Sequence, residues 1–232
     1  MIADLPEPTT YASTPTAAVL APGRVVASLG AGYPALKSQE QGAFSLHVGV
    51  GADVELAVAA GFRHSPPVYP TFTDHWGTLA SLGLKRGFGR LGEWDVAGAV
   101  AGSWGLGGPF QPTAWAAVPF TRTAGAWQWT VGPRVNLPDP LATSTWLNGS
   151  TIGLMAGGLC RFHESWAWWF EANPTWFQTG FPVLGPSVGL RGRVGPGTYV
   201  EAGLGLDLFQ AGYYPLAPER LGLLTAAVKQ VF

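Results

Sequence analysis

Between Glu93 and Trp104 the chain reads EWDVAGAVAGSW and alternates without a break. Trp94, Val96, Gly98, Val100, Gly102 and Trp104 fall on one face; Asp95, Ala97, Ala99, Ala101 and Ser103 fall on the other. A period of two belongs to a strand with two unlike faces. Trp94 and Trp104 stand ten residues apart, which is roughly 33 Å of strand at ~3.3 Å per residue. A tilt of ~40° lowers that to about 25 Å, the height of the apolar band on a membrane-spanning barrel. Trp166 and Trp176 repeat the spacing, with Trp168, Phe170, Ala172 and Pro174 between them on one face, and Trp127 opens a similar face. Tryptophan at the ends of apolar faces marks membrane interfaces.

Composition sharpens this reading. Charged residues make up only 12% of the 232, alongside 11 Trp and 33 Gly. That is about half the charge of an ordinary soluble domain. The net charge of −1 offers no basic field for nucleic acid. The single cysteine, Cys160, excludes an internal disulfide framework and a Cys-based zinc site. No run of eighteen apolar residues is present, so no transmembrane helix is expected. Residues 1–22 begin MIADLPEP and lack the apolar centre of a signal peptide, which fits the mature start of an exported chain. No cysteine near that start offers a lipid anchor.

Residues 1–22 are rich in Pro, Thr and Ala and carry no period, so they read as an arm ahead of a domain at 23–232. From there the pattern predicts about twelve strands: 24–32, 42–50, 53–63, 76–86, 93–104, 111–121, 126–137, 149–162, 166–177, 186–194, 198–209 and 221–232. Ten or fourteen also fit. The connections alternate in length. Gly51-Ala52, Gly87–Gly92, Arg122–Gly125, His163–Ser165 and Gly195–Gly197 are short; 33–41, 64–75, 105–110, 138–148, 178–185 and 210–220 are longer. All tight turns therefore gather at one end. A soluble sandwich or lipocalin-like barrel would dress its polar face in Lys, Glu and Thr. Here that face is Gly, Ala and Ser, which suits the crowded inside of a modest closed barrel. Pro119, Pro133 and Pro174 fall inside strands and are expected at bulges or rims, because a closed barrel has no edge to hold them.

With these features the chain resembles bacterial outer-membrane β-barrel proteins over about 24–232. The fold class expected is all-β, a transmembrane antiparallel β-barrel with short periplasmic turns and longer extracellular loops. The chain ends on an alternating strand, Leu224, Ala226, Val228, closing in Phe232. That end is similar to the signal by which the outer-membrane insertion machinery recognises its clients. Gln230 departs from it, where an apolar residue is the rule. The resemblance implies the outer membrane of a Gram-negative bacterium, a bilayer with lipopolysaccharide, and both termini in the periplasm. Trp94 would lie at the periplasmic interface and Trp104 at the outer one, and Trp127, Trp166, Trp176 and Phe232 would also mark the membrane interfaces.

Parity places Arg24, His47, Glu55, Arg63, Lys85, Asp95, Arg134, Arg161, Glu171, Arg191, Arg193, Glu201 and Asp207 inside. Mixed charges either line a polar passage that selects a solute or pair with one another and fill the barrel. Asp95 is expected near Lys85, Arg193 and Glu201 as cross-strand neighbours, and an acid such as Glu171 near Arg191.

Two other groupings carry weaker chemistry. His163-Glu164-Ser165, with Glu171 and Asn173 downstream, holds a His-x-Ser pair as outer-membrane lipid hydrolases do, but in a short turn. His64, Asp74 and His75 match no metal-ligand spacing, so neither a metal nor a cofactor is expected. The arm 1–22 reads as a disordered tail, a plug, or a docking segment for a periplasmic protein. The leading expectation is a non-enzymatic narrow pore or transport component for small polar solutes. The alternatives are a structural barrel anchoring a cell-envelope complex, and a lipid hydrolase using His163 and Ser165.

Overall fold

The computed structural model describes residues 15–34, 41–65, 75–107, 113–138, 151–177, 182–184, 186–205 and 223–232. Alternation of apolar and small residues produces strands throughout: β1 (Val25–Pro34), β2 (Gln41–Gly51), β3 (Val54–Ser65), β4 (His75–Leu91), β5 (Trp94–Gly107), β6 (Thr113–Ala117), β7 (Phe120–Ala124), β8 (Trp127–Pro138), β9 (Thr151–His163), β10 (Trp166–Ala172), β11 (Thr175–Phe177), β12 (Pro182–Val183), β13 (Pro186–Gly195), β14 (Thr198–Gly205) and β15 (Leu223–Val231). Each pairs antiparallel with its neighbour, and β15 returns to β1 through Val26↔Val231 to Pro34↔Leu223. The sheet is closed. Three staves are each broken into two segments, β6/β7, β10/β11 and β12/β13, so the fifteen segments make a barrel of twelve staves.

Proline explains two of the breaks. Val118-Pro119 separates β6 from β7, and Asn173-Pro174 separates β10 from β11. Pro133 lies in β8 beside the first gap. These are openings in the ladder, where bulges or rim positions were expected. Each proline has lost a donor but still accepts: Ala97 N–H donates to Pro119 O (3.1 Å), Val118 N–H to Pro133 O (3.1 Å) and Leu154 N–H to Pro174 O (2.9 Å).

The tight turns all lie at one end, and four of the five are shorter than the sequence implied. β4 continues through a register shift at Gly87/Gly89 as far as Leu91, so the turn there is only Gly92-Glu93. Gly89 and Gly92 take positive φ (92° and 62°), which lets the strand bend and reverse. β7 likewise runs to Ala124, past the expected end. The opposite end of the barrel holds the longer connections, much of which lies outside the described residues.

The outer face is apolar and exposed: Leu29, Val58, Leu82, Val100, Trp129, Ile152, Leu154, Trp168, Val188 and Leu224 all point away from the barrel interior. A continuous belt of this kind is too large for a monomer in water, and a bilayer is the solvent that suits it. Aromatic rings close gaps in the belt by lying across outward-facing glycines of the next strand. Phe62 covers Gly42, Phe170 covers Gly158 and Trp166 covers Gly192, each in direct register. A Cβ on Gly192 would stand 2.5 Å from the Trp166 ring. We expect Gly192→Leu to displace that ring and destabilise the barrel by about 1–3 kcal/mol, read as a lower urea midpoint for unfolding from lipid vesicles. Trp166→Ala should relieve the clash and remove part of the loss in the double variant.

Candidate functional site: the barrel lumen

The interior divides into two unlike halves. Along the middle of β1 to β5 the inward positions are small, Ser28, Gly30, Ser45, Ala59, Ser81, Gly83, Ala101 and Ser103, with His47, Glu55 and Lys85 nearer the short-turn end. On β9 to β14 they are bulky, with Met155, Leu159, Trp169, Arg191 and Tyr199 packed inside. Trp169 is 1% exposed, and its ring fits only because Gly189 and Gly203 stand beside it; a Cβ on either would come within 2.4 Å of Cζ2. Side chains thus fill one half, and a cavity of about 550 Å³ runs along the other, bounded by Ser28, Ser45, Ser81, Trp169 and Lys229 among others. Cross-strand register lines up Ser28, Ser45, Ala59, Ser81 and Ser103 as a hydroxyl-rich row. Ser81 and Ser103 are joined by a 2.7 Å hydrogen bond.

Two ion clusters are set into the barrel wall, one on each side. Glu55 on β3 accepts from Lys85 Nζ at 3.1 Å and lies 2.9 Å from His47 Nδ1. Glu201 on β14 bridges Arg191 Nε at 2.5 Å and Lys229 Nζ at 2.9 Å. In both, one carboxylate stands between two basic side chains of the flanking strands, and Glu55, Lys85, Arg191, Glu201 and Lys229 are all buried. Arg134 sits apart, donating to Asn136 Oδ1 at 2.8 Å with its guanidinium 5.4 Å from the Trp115 ring centre. Glu171 is buried near Ser187 Oγ at 3.5 Å.

Several expected pairings come out differently. Asp95 meets Arg90 at 2.8 Å rather than Lys85, because β4 runs on past its bulge and delivers Arg90 to the rim. Arg193 lies directly opposite Tyr199, and it is Arg191 that lies directly opposite Glu201, so Arg193 and Glu201 are diagonal rather than direct neighbours; the one-residue register shift comes only beyond Arg193, before Gly195. Arg161 donates to Gly125 O at the short-turn rim. The backbone pairs Arg63 with Gln41 and Gly77, while its side chain lies outside the described residues, as does Asp207 altogether. His64 and Ser65 extend β3, and Ser65 pairs with His75. His163 Nδ1 accepts the backbone N–H of Ser165 at 3.2 Å, within the short turn. Trp94, Trp127, Trp166 and Phe232 lie toward the short-turn end, and Trp104 and Trp176 toward the other.

The arm has a defined course over residues 15–22. Thr16, Ala17 and Leu20 are buried. Ala17 N–H donates to Thr121 Oγ1 at 2.7 Å, and Thr121 Oγ1 is also 2.8 Å from Thr130 Oγ1. Leu20 N–H donates to Glu55 Oε2 at 3.2 Å. Pro15 helps close a smaller space of about 230 Å³ with Ser45, Glu55, Lys85, Ser103 and Trp115. The segment therefore lies within the barrel at its short-turn end. Sequence reading also overlooked Lys229, Trp169 and Tyr199 as inward residues, although the parity of Val228, Trp168 and Val200 implies all three.

No protein-family model matches this chain, and no curated protein matches it. Solved structures do. The chain is similar to the COG4313 outer membrane channel from Pseudomonas putida F1, with a TM-score of 0.70 at 12% identity over 92% of this chain and 97% of that one. It is similar to the NanC porin, with a TM-score of 0.65 at 9% identity over 88% and 98%. The KdgM porin gives 0.64 at 7% identity over 89% and 99%. At these identities the likeness is one of fold, and the fold is the closed antiparallel barrel of outer-membrane porins and channels.

Proposed function

We propose that the chain is an outer-membrane channel for small polar solutes, a passive and non-enzymatic barrel with both termini on the periplasmic side. The observation that carries this reading is the divided lumen. One half is filled by the buried side chains of Met155, Leu159, Trp169, Arg191 and Tyr199, whereas a cavity of about 550 Å³ lies beside the row of serines and glycines on the other. A barrel needed only as an anchor has no use for that asymmetry, since large side chains could fill both halves. Hydroxyls and paired charges along the open half offer a dissolving solute replacement hydrogen bonds as it sheds water. The apolar outer belt supports residence in a bilayer, and the porin and channel neighbours support the same setting.

Purified protein reconstituted in planar bilayers should show discrete current steps, and vesicles carrying it should swell in small neutral sugars. An electrically silent barrel that admits no solute would sink the proposal. Ser81→Trp should then lower the current, because an indole there would project into the open half from mid-strand.

A further inference from the structure

The open half of the lumen and the arm occupy the same side of the barrel. The arm meets staves two, three, four and six: Gly49 on β2, Glu55 on β3, Gly87 on β4 and Thr121 on β7. These are the staves, or the neighbours of the staves, whose inward residues are Gly, Ala and Ser. The packed side, with Trp169, Met155 and Arg191, receives none of the contacts just named. Pro15 closes the space beside Ser81 and Ser103, so the arm stands in line with the passage.

We propose that residues 15–22 are the element that sets the solute size limit, a stopper seated under the small-residue half at the short-turn mouth. The proposal rests on the channel reading above. Three built features hold the segment. Two of its amides are spent on wall acceptors, Thr121 Oγ1 and the Glu55 carboxylate, and neither acceptor is needed for strand pairing. Glu55 is itself fixed by Lys85 and His47, so the anchoring carboxylate cannot swing away cheaply. The wall is also cut away to admit the arm. A Cβ on Gly49 would lie 2.1 Å from Ala21 O and 2.6 Å from Leu20 O, and its three nearest atoms all belong to the arm. Gly49 has no positive φ, so backbone conformation does not demand glycine there. Room for the arm does.

The test compares the full chain with a form lacking residues 1–20, and with Gly49→Val and Thr121→Val, in planar bilayers and in swelling assays with sugars of rising mass. Deletion should raise single-channel conductance at least twofold and admit larger sugars. Gly49→Val, which evicts the arm by collision, should shift both in the same direction, and Thr121→Val should do so more weakly. Equal conductance and an equal size limit in the full chain and the deletion would overturn the stopper while leaving the channel reading intact. Silence from every form would overturn both. A readout independent of current follows arm seating directly: Ala17→Cys in a Cys160→Ser background. In the intact barrel that thiol should resist a bulky maleimide, because Ala17 is 5% exposed. Adding Gly49→Val should speed labelling at least tenfold. Rapid labelling of Ala17→Cys without that second change would overturn the proposal.

Discussion

Replacing Val100 by lysine should destabilise the barrel by about 2–4 kcal/mol, the cost of a cation facing lipid near the bilayer midplane. Val100 lies on β5 between Trp94 and Trp104, close to the middle of that span, and is 50% exposed on the outer face. The same substitution at a half-exposed site on a protein in water would change stability by less than about 0.5 kcal/mol. The experiment therefore reads the solvent of the outer face directly. Urea unfolding from vesicles of matched thickness gives the difference, and a shift in heat-modifiable gel mobility gives a second measure. Lysine at Ala101, one residue along and pointing inward, should leave the barrel folded and lower the current instead. If Val100→Lys proved neutral and Ala101→Lys destroyed the fold, the faces would be inverted and the apolar belt would be a core.

Much of this architecture was legible because a strand's two faces are written at alternate residues and lipid demands a strict alternation. The twelve staves, the closure of β15 on β1 and the grouping of tight turns all follow from parity and spacing. Parity alone does not give register. β4 continues past its bulge at Gly87/Gly89 and brings Arg90 to Asp95, and the register of β13 on β14 sets Arg191, not Arg193, directly opposite Glu201. A bulge costs one residue in sequence and leaves no mark beyond a glycine, of which this chain has 33. The division of the lumen was visible in principle, since Ser28, Ser45 and Ser81 come early and Met155, Trp169 and Tyr199 come late. The arm was harder to place. Its Pro- and Thr-rich composition has no period, and its fit depends on Gly49 and Thr121, which sit far apart in sequence. Closure of the barrel brings them to the same mouth.

Removing the carboxylate of Glu201 should cost about 3–5 kcal/mol, because it leaves Arg191 and Lys229 inside without the anion they share. All three side chains are less than 10% exposed, at 6%, 2% and 9%, so lumen water is poorly placed to solvate the freed cations. Glu201→Leu, which keeps bulk and loses charge, is the informative change. Glu201→Gln should fall between it and the wild type, since an amide oxygen can still accept one hydrogen bond but cannot neutralise two cations. The triple variant with Arg191→Met and Lys229→Met should recover most of the loss, because a buried ion cluster and a well-packed apolar replacement are close in energy. Its conductance carries separate information. If the cluster only fills the barrel, the triple variant should refold and pass current as the wild type does. If Lys229, which bounds the cavity beside Ser28, steers solutes, stability should return while the preference between anions and cations shifts toward cations. Reversal potentials across a salt gradient measure that preference, and stability and selectivity then separate the two roles that mixed charge inside a barrel can have.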